Sequence, residues 1–435
     1  MTQGSASSLV ERIADRTARV VIIGQGYVGL PVAMRAVEVG FNVVGVDVDT
    51  RRVNALKEGR SYVEDVPGER LASALASGYS VAESLDELDG FDVAIITVPT
   101  PLRDGTPDLS YVESAAASLA AILSVGALVV LESTTYPGTT EELVAPILET
   151  SGLVAGKDFM LGYSPERIDP GSEHWRFENT PKVISGIDAD SLRAVDAFYS
   201  ALVDKTVPVA SPAEAEMVKL LENTFRHVNI ALVNELAMFA GDLGVDIWSA
   251  IDAASTKPFG YMRFTPGPGV GGHCLPVDPS YLSWRVRRRS GHAFRFVELA
   301  NDVNEHMPDH VVRRVANLLN RNGRPVKDTC ILLLGLAYKA ATSDWRESPS
   351  IVVAERLSTL GAVITACDPY IARAKPPGLP YELVDFGEDA LQSCDLAILL
   401  VDHPDFDPEM ICAHAPLVFD AKGVLRGRIM NGEVL

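Results

Sequence analysis

One cysteine stands where its thiol could act as a nucleophile. Cys274 follows a stretch of glycine and proline at residues 266–272, and Asp278 lies four positions beyond it. The other cysteines lie in or beside apolar segments, where small core residues are expected. A thiol presented on a flexible loop beside a carboxylate is typical of covalent catalysis. The competing interpretation is a buried structural cysteine with a solvated aspartate.

A possible oxyanion-stabilising pair lies earlier in the chain. Lys219 and Asn223 are four residues apart in a long helical pattern, so their side chains project from one face of a helix. Such a pair is ordinarily solvated, but if that face meets the cysteine loop, the cation and the amide can stabilise negative charge on oxygen. Glu166 and Arg167 form a further candidate segment, for which the competing interpretation is a plain turn.

A glycine-rich turn indicates a dinucleotide site. The motif lies between a predicted strand and a predicted helix and comprises Gly24, Gln25, Gly26, Tyr27, Val28 and Gly29. Its first glycine permits a tight turn, the second lets the backbone approach a pyrophosphate, and the third lets the helix pack closely on the strand. The N-terminus of that helix then faces the phosphates.

An acidic residue at the end of the second predicted strand favours NAD over NADP. Asp47 follows the last glycine of the motif by 18 residues, where a carboxylate would bind a ribose diol and repel the extra phosphate of NADP. Arg52 is a candidate neighbour of the adenosine, or else an ordinary surface cation. Pro99, Thr100 and Thr134 lie on two loops that follow further strands, where they would contact the cofactor or a water, or only form turns.

Two regions of the chain carry the pattern of parallel strands buried on both faces. Apolar runs alternate there with helical stretches, at residues 19–24, 41–47, 91–98 and 127–133 and again at 329–335, 362–369 and 393–401. The second region lacks the glycine motif, although Asp368 ends a strand there as Asp47 does in the first. The sequence therefore predicts an α/β fold of two doubly wound Rossmann-like domains, joined by a central helical region with a long connecting helix.

Charge and composition exclude several functional classes. Acidic residues outnumber basic ones by 58 to 38, and the net charge of −20 disfavours binding to nucleic acid or anionic lipid. The five cysteines include no CxxC pair, so we expect neither a disulfide framework nor a metal site. The longest apolar runs are strand-sized and the first 20 residues lack the pattern of a signal peptide, so we expect a cytoplasmic protein without membrane contact.

A thiol beside an NAD site predicts a particular sequence of reactions. Oxidation of an alcohol yields an aldehyde, which a thiolate attacks to form a thiohemiacetal. A second oxidation gives a thioester, which water hydrolyses to a carboxylic acid. An alcohol is thus oxidised fully to an acid, with two NAD used in succession.

Taken in order, the motifs resemble those of the nucleotide-sugar 6-dehydrogenases, the family that includes UDP-glucose, GDP-mannose and UDP-N-acetylhexosamine dehydrogenases. Besides the glycine motif and Asp47, the resemblance rests on Val-Pro-Thr-Pro at 98–101, Glu-Ser-Thr at 132–134, Ser-Pro-Glu at 164–166, Lys-Leu-Leu-Glu-Asn at 219–223, Gly-Gly-His-Cys-Leu-Pro-Val-Asp at 271–278, and Gly-Leu-Ala-Tyr-Lys at 335–339 followed by Arg-Glu-Ser-Pro at 346–349. It extends over residues 19–427, nearly the whole chain.

The resemblance implies catalytic roles for six residues. Cys274 would be the nucleophile, and Lys219, assisted by Asn223, would stabilise alkoxide and oxyanion charge. The other three would act on water or on the lysine.

Those three residues are implied in positioning or hydrolysis. Asp278 would position Lys219 or a catalytic water, and Thr134 would hold a water near carbon 6 of the sugar. Glu166 would act as the base in thioester hydrolysis. The sequence leaves open which of Thr134, Glu166 and Asp278 activates the hydrolytic water.

The resemblance also implies contacts with substrate, cofactor and a second subunit. The substrate contacts would be Glu166, Arg167, Lys219, Asn223, Tyr261, Arg263, Gly267, Gly271, Lys339 and Lys422. Arg346 would lie near the cofactor, and the central helices would build a homodimer or a higher homo-oligomer. The predicted segments are an N-terminal tail (1–18), an NAD-binding Rossmann domain (19–208), a central helical dimerisation region with the cysteine loop (209–322), and a C-terminal UDP-sugar-binding Rossmann-like domain (323–435).

Two departures from the family pattern bear on the substrate. Val277 stands where UDP-glucose enzymes often have a lysine, and Lys422 replaces a substrate-binding arginine and lacks its bidentate fork. Residues 257–262 and 266–269 resemble the UDP-N-acetylhexosamine branch more than the UDP-glucose branch. The sequence predicts oxidation of a UDP-hexose to its uronic acid for sugar or polysaccharide biosynthesis, with the sugar left open between these two. A two-electron hydroxy-acid dehydrogenase and a non-catalytic sensor of NAD and nucleotide sugar are the alternatives.

Overall fold

The chain forms two compact units, each with its own sheet. The computed structural model describes residues 3–63, 65–103, 105–168, 174–272, 274–374 and 378–435. The first unit comprises Met1–Glu222 and Ser280–Ser290, and the second comprises Asn223–Pro279 and Gly291–Leu435.

The elements alternate between strand and helix in both units. The described strands are β1 (Arg19–Ile23), β2 (Asn42–Val46), β3 (Tyr79–Ala82), β4 (Val93–Ile96), β5 (Leu102–Arg103), β6 (Thr106–Pro107), β7 (Leu128–Leu131), β8 (Met160–Tyr163), β9 (Lys182–Gly186), β10 (Thr206–Pro208), β11 (Cys330–Leu334), β12 (Val363–Cys367), β13 (Leu396–Leu399), β14 (Val418–Asp420) and β15 (Gly432–Val434). The described α-helices are α1 (Gln3–Ala14), α2 (Gly29–Glu38), α3 (Thr50–Lys57), α4 (Gly68–Ala76), α5 (Ser110–Ile122), α6 (Ala145–Leu148), α7 (Ala189–Leu202), α8 (Pro212–Ala240), α9 (Ile247–Ser255), α10 (Cys274–Ser290), α11 (Arg295–Arg321), α12 (Pro349–Thr359), α13 (Pro369–Ala374), α14 (Glu388–Ser393) and α15 (Pro408–His414).

The sheet of the first unit is doubly wound around β1. Its strands among the described residues follow the order β10-β9-β8-β7-β4-β1-β2-β3, with parallel neighbours except for the antiparallel pair β8 and β9. Val20 of β1 is in register with Val43 of β2 on one side and with Val93 of β4 on the other. The chain thus reverses its winding direction at β1, and ligands of such sheets bind outside the carboxyl ends of the strands at this point.

Alternating side chains of β1 explain why the sheet is covered on both faces. Val20 and Ile22 belong to one core cluster, whereas Val21 and Ile23 belong to another on the opposite face. All four side chains are buried, so the strand has no polar face to leave in water. Helices must therefore pack on both sides, as the apolar run in the sequence predicts.

The second unit repeats this plan with five parallel strands. Their order among the described residues is β12-β11-β13-β14-β15. Ile331 and Leu333 of β11 face one core cluster, and Leu332 and Leu334 face the other. The predicted α/β fold with two doubly wound sheets is confirmed.

Helices α8 and α11 pack together within the second unit through both apolar and polar contacts. Ala231 of α8 lies in one buried cluster with Ala300 of α11. The buried amide of Asn234 donates to the side-chain oxygen of Asn304 over 2.9 Å. No helix in the described part of the chain is both long enough and apolar enough to span a membrane.

Two local expectations differ from the structure. Residues 3–14, assigned to a tail, form α1, whose Leu9 and Ile13 are buried in the core of the first unit. Cys274, expected on a flexible loop, is instead the first residue of α10. Pro276 lies in the first helical turn, where its missing N–H has no intrahelical partner, whereas Pro279 lies inside the helix and removes one backbone hydrogen bond.

The two sheets present similar turns after their first strands, with different aspartate environments. Gly24 and Gly335 share a φ of +93°. Asp47 accepts backbone N–H bonds from Gln25 and Asp49. The carboxylate of Asp368 instead accepts from four backbone N–H groups, and the imidazole of His403 lies 3.1 Å from it, so both of its oxygens are fully engaged.

Candidate functional site

The glycine turn of the first unit is built for close packing at two of its positions. Gly24 has a left-handed φ of +93°, and a Cβ there would lie 2.7 Å from the carbonyl oxygen of Thr97. A Cβ at Gly29 would collide with the carbonyl oxygen of Gly24 and with the hydroxyl of Thr97. Any side chain at either position would therefore separate α2 from β1 and β4.

The middle glycine faces open space, as a ligand site requires. A Cβ added at Gly26 would meet nothing within 4 Å, so its absence is not needed for packing against the described chain. A glycine kept in open space at the start of a helix leaves room for a pyrophosphate to reach the backbone. The turn therefore fits a dinucleotide.

Asp47 and Gln25 fix the shape of this turn. Asp47 is 6% exposed, and its carboxylate accepts from the backbone N–H of Gln25 over 2.8 Å, with Arg52 at 3.4 Å. The side chain of Gln25 is fully buried and is bonded to the hydroxyl of Tyr79. Gln25 thus supports the turn from its buried side, whereas Tyr27, which is 47% exposed, lies on its solvent side.

Two loops at the carboxyl ends of β4 and β7 are tied together. The hydroxyl of Thr100 donates to the carbonyl of Thr134 over 2.8 Å, and the hydroxyl of Ser133 donates to the carbonyl of Val98 over 2.7 Å. Thr134 itself is partly exposed, as is required of a residue that holds a water. The structure thus brings together the predicted residues of these two loops.

Glu166 sits in a turn where its carboxylate and its carbonyl act separately. One carboxylate oxygen accepts from the backbone N–H groups of Arg167 and Ile168 over 2.5 and 2.6 Å. The carbonyl oxygen accepts from the ammonium of Lys219 over 2.5 Å, and Arg167 pairs with Glu222. Helix α8 therefore presents Lys219 to the loop that follows β8.

A buried charge cluster lies behind this turn. The ammonium of Lys182 donates to Glu132 and, over 3.0 Å, to Glu166, while the hydroxyl of Tyr199 donates to Glu132 over 3.1 Å. Burial, reinforced by the charge of Glu166, raises the pKa of Glu132 despite the opposing ammonium. Burial also disfavours ionisation of Glu166, but Lys182 and the surrounding N–H groups outweigh it and lower the pKa of Glu166.

A second buried carboxylate on α8 anchors the loop after β7. Glu216 is fully buried and accepts from the backbone N–H groups of Gly138 and Thr140 over 2.5 and 2.9 Å, and from the Thr140 hydroxyl over 2.7 Å. Burial raises the pKa of Glu216 to about 7. Glu216 and Lys219, three residues apart on α8, thus contact the loops of two neighbouring strands.

Glu216→Gln is expected to remove a pH-dependent part of the stability. The folded-state pKa near 7 exceeds the ordinary value of 4.5, so the folded chain binds the extra proton and becomes less stable as the pH rises between these values. This difference in pKa corresponds to at most about 3 kcal/mol of the free energy of unfolding. Urea unfolding at pH 5 and pH 8 measures the free energy of unfolding, and the variant should become more stable relative to the wild-type chain at the higher pH. Equal pH slopes in both proteins, or the same gain in the exposed Glu214→Gln control, would contradict this assignment.

In the second unit, α8 meets the first turn of α10. The side-chain amide of Asn223 donates to the carboxylate of Asp278 over 2.6 Å, and both residues are buried. Cys274 is the first residue of α10, but its side chain and the whole of His273 lie outside the described residues. Gly272, just before them, packs on the ring of Tyr338, where a Cβ would lie 2.6 Å from a ring carbon.

A cavity of about 530 Å³ lies within the second unit. Four of its lining residues are cationic, namely Arg263, Lys339, Lys422 and Arg426, against one lining carboxylate, Asp402. Burial lowers the pKa of Lys422, and the charges of Asp402 and Asp420 oppose this shift without cancelling it. In a chain of net charge −20, this cavity is locally positive and suits an anionic ligand.

Other predicted contacts fall around or outside this cavity. Gly267 donates its backbone N–H to Asn234, and a Cβ there would lie 3.5 Å from the Lys422 ammonium. Tyr261 is 38% exposed and Arg346, paired with Asp344, is largely exposed; neither lines the cavity. Gly271 packs against the turn at residues 347–349.

Comparison with known families accounts for this arrangement. Three models of the UDP-glucose/GDP-mannose dehydrogenase family match the chain in order: its NAD-binding domain at residues 18–203, its central domain at 213–306 and its UDP-binding domain at 332–427. Together they cover most of the chain. The protein belongs to this family.

Individual relatives of the UDP-glucose/GDP-mannose dehydrogenase family agree over nearly the whole length. UDP-N-acetyl-D-mannosamine dehydrogenase of Pyrococcus horikoshii is 34% identical, over 89% of this chain and 90% of its own. UDP-N-acetyl-D-glucosamine 6-dehydrogenase of Pseudomonas aeruginosa is 35% identical, over 89% and 91%. The solved structure of the UDP-D-ManNAc dehydrogenase of Pyrococcus horikoshii superimposes with a TM-score of 0.86 at 32% identity, over 96% of this chain and 98% of that one.

The family match assigns cofactor and ligand class to the two units. The NAD-binding domain contains the glycine turn and Asp47, so the first unit carries the NAD site. The UDP-binding domain contains Lys339 and Lys422, which line the cationic cavity of the second unit. The chain is therefore a member of a family of NAD-dependent UDP-sugar dehydrogenases, with a nucleotide sugar as substrate class.

Asp47→Asn is expected to weaken NAD binding about tenfold to a hundredfold, because a neutral amide is a poorer ribose acceptor and also loosens its bond to the backbone of Gln25. Fluorescence titration with NAD measures the dissociation constant, and the exposed Asp89→Asn variant is the matched control. An unchanged dissociation constant would leave Asp47 with only its role in shaping the turn.

Sequence reasoning missed the residues that hold the site from behind. Glu216 carried no visible signal because it lies on a helix with many charged residues, and Lys182 was overlooked at the start of an apolar strand. Trp248 and Arg426 of the cavity were also missed, and Arg426 stacks over the Trp248 ring. A lysine beside an apolar β-strand run is the one pattern that could have identified Lys182 in advance.

Proposed function

We propose that the protein oxidises carbon 6 of a UDP-N-acetylhexosamine from alcohol to carboxylic acid through a covalent Cys274 intermediate. The bond between Asn223 and Asp278 carries this proposal, since it ties the predicted oxyanion helix to the first turn of the helix that Cys274 begins. The names of relatives that match nine-tenths of the chain support an N-acetylhexosamine over glucose.

The chain's own groups would act at each stage. When bound at the glycine turn, NAD supplies the hydride acceptor for both oxidations. The Cys274 thiolate adds to the carbon of the aldehyde, forming a carbon–sulfur bond, and the second oxidation converts this thiohemiacetal to a thioester. Water then cleaves the carbon–sulfur bond, releasing the carboxylate and the thiol.

Lys219 would stabilise the oxygen anions that form in these steps. Its ammonium already donates to one carbonyl oxygen, which leaves further protons for a substrate oxygen. Glu166, held ionised, Thr134, partly exposed, and Asp278, bonded to Asn223, remain the candidates for orienting the hydrolytic water. Glu166 is the weaker candidate for a proton acceptor, because N–H groups and Lys182 occupy its carboxylate.

The substrate diphosphate would bind in the cationic cavity. Lys422 is suited to it because no ion pair within 4 Å is found for its ammonium among the described residues, whereas Arg263 and Arg426 share Asp252 over 2.6 and 2.8 Å. A diphosphate entering the cavity would recover the electrostatic energy that burial costs the lysine.

The exposed face of α8 supports a homodimer. Four apolar side chains recur on it at helical spacing, namely Phe225, Leu232, Leu236 and Phe239. Each of them is 45–55% exposed. A stripe of this kind on a soluble fold is normally covered by a partner, and we propose a second copy of the chain.

NADH release from a panel of UDP- and GDP-sugars tests the function. We expect two NADH per UDP-N-acetylhexosamine, with the uronic acid as product. One NADH per sugar would eliminate the four-electron mechanism in favour of a two-electron dehydrogenase. Binding of NAD and nucleotide sugar without NADH formation would indicate a sensor.

A further inference from the structure

The search outside the residues already assigned leads to the buried charge cluster of the first unit. Lys182 is 2% exposed and lies at the start of β9. Its ammonium is enclosed by the carboxylates of Glu132 and Glu166 and lies 5.2 and 5.3 Å from the ring centroids of Phe177 and Tyr199. A buried cation with two carboxylates and two aromatic faces has no route to solvent, so it serves the residues around it.

Lys182 is connected to the ammonium of Lys219 through hydrogen bonds of Glu166. Lys182 holds one carboxylate oxygen of Glu166, which leaves the other on the N–H groups of Arg167 and Ile168. These bonds shape the turn at residues 164–168 and aim the carbonyl of Glu166 at Lys219. Lys182 thus contacts the Glu166 carboxylate, this carboxylate shapes the turn, and the turn contacts Lys219, the residue proposed to stabilise the oxyanion.

We propose that Lys182 is a positioning residue that fixes the Glu166 turn and thereby the ammonium of Lys219. The Lys182 ammonium also donates to Glu132, whose carboxylate accepts from the hydroxyl of Tyr199. This second bond fixes the ammonium in place, so that it does not move with the Glu166 carboxylate. The effect of Lys182 on catalysis rests on the proposed function, whereas its effect on the structure of the turn does not.

The alternative is that Lys182 merely neutralises Glu132. The two roles differ in what happens when both Lys182 and Glu132 become apolar. Neutralisation alone makes that double variant equivalent to the wild-type chain. Positioning does not, because the Glu166 carboxylate still lacks its ammonium.

The test compares Lys182→Met, Lys182→Arg and the double variant Lys182→Met with Glu132→Leu, which leaves no unpaired Glu132 charge to prevent folding. Lys157→Met, at an exposed lysine, is the matched control. Amide hydrogen exchange of residues 164–168 is measured first, because it needs no substrate. We expect exchange at least about tenfold faster in Lys182→Met and in the double variant, and near wild-type exchange in Lys182→Arg.

Kinetics provide the second readout. We expect kcat to fall at least about tenfold in both methionine variants with the KM for NAD unchanged, because the glycine turn does not contact the cluster. The acidic limb of the pH profile should move upward in Lys182→Met, where Glu132 and Glu166 repel each other without the cation while Lys219 remains beside the turn.

Three results would overturn the inference: wild-type exchange in both methionine variants, recovery of wild-type behaviour in the double variant, or a loss of thermal stability without any change in exchange or kcat. A wild-type chain that oxidises no UDP-sugar would refute the proposed function instead, and the exchange measurement would still decide the role of Lys182.

Discussion

Cys274→Ser should bind NAD and the nucleotide sugar almost as the wild-type chain does, yet lose turnover by at least about 10³-fold. A serine hydroxyl is scarcely ionised near neutral pH, whereas a thiol supplies an appreciable fraction of thiolate, so carbon–sulfur bond formation has no efficient substitute. Stopped-flow measurement of NADH formation, together with equilibrium binding of both ligands, separates the chemical loss from a binding loss.

The matched control for this variant is Cys330→Ser, at an exposed cysteine at the start of β11. It should retain full activity. Complete oxidation to the acid by Cys274→Ser would show that no covalent intermediate is needed, and a loss shared by both variants would point to a general effect of removing a thiol.

Lys219→Ala should lower kcat by about 10²- to 10³-fold, the effect of removing one preorganised donor from a developing oxyanion. The carbonyl of Glu166 also loses its partner in this variant, so the turn at residues 164–168 should exchange its amide hydrogens faster. NAD affinity should be unchanged, because the glycine turn lies on other strands of the sheet. Single-turnover kinetics of each oxidation step measures the effect.

Lys219→Arg and Lys205→Ala complete the comparison. Arginine keeps the charge but spreads it over a larger planar group, so we expect an intermediate rate. Lys205 is exposed and its removal should leave the rate unaltered. A full rate in Lys219→Ala would return this residue to the surface role that its spacing alone suggested.

The sheets could be predicted because their signal is local. Val20 to Ile23 alternate between two cores, so both faces of β1 are apolar and the run is visible without knowledge of its neighbours. The glycine motif is equally local in sequence, since its three glycines lie within six residues, although Gly24 and Gly29 pack against the distant Thr97. Helix α1 was missed because its sequence is largely polar: of residues 7–14, whose burial the structure describes, only Leu9 and Ile13 are buried.

The supporting part of the site could not be predicted, because its contacts are remote in sequence. Lys182 and Glu132 are 50 positions apart, and Glu216 and Gly138 are 78 apart. Each is an ordinary charged residue until the fold buries it beside the other. Motif spacing predicts which residues would face a ligand, whereas the residues behind them are determined by burial and charge, which a single sequence does not display.

The different surroundings of the two strand-end aspartates have a consequence for the timing of the proposed reaction. Four backbone N–H groups and the His403 imidazole occupy both carboxylate oxygens of Asp368, whereas Asp47 accepts from only two backbone N–H groups and keeps more acceptor capacity for a ribose of NAD. We therefore expect one NAD site to serve both of the proposed oxidations in turn. In the proposed reaction the half-oxidised sugar would stay on the chain while NADH is exchanged for NAD, and its bond to the Cys274 sulfur would prevent a reactive aldehyde from escaping in that interval.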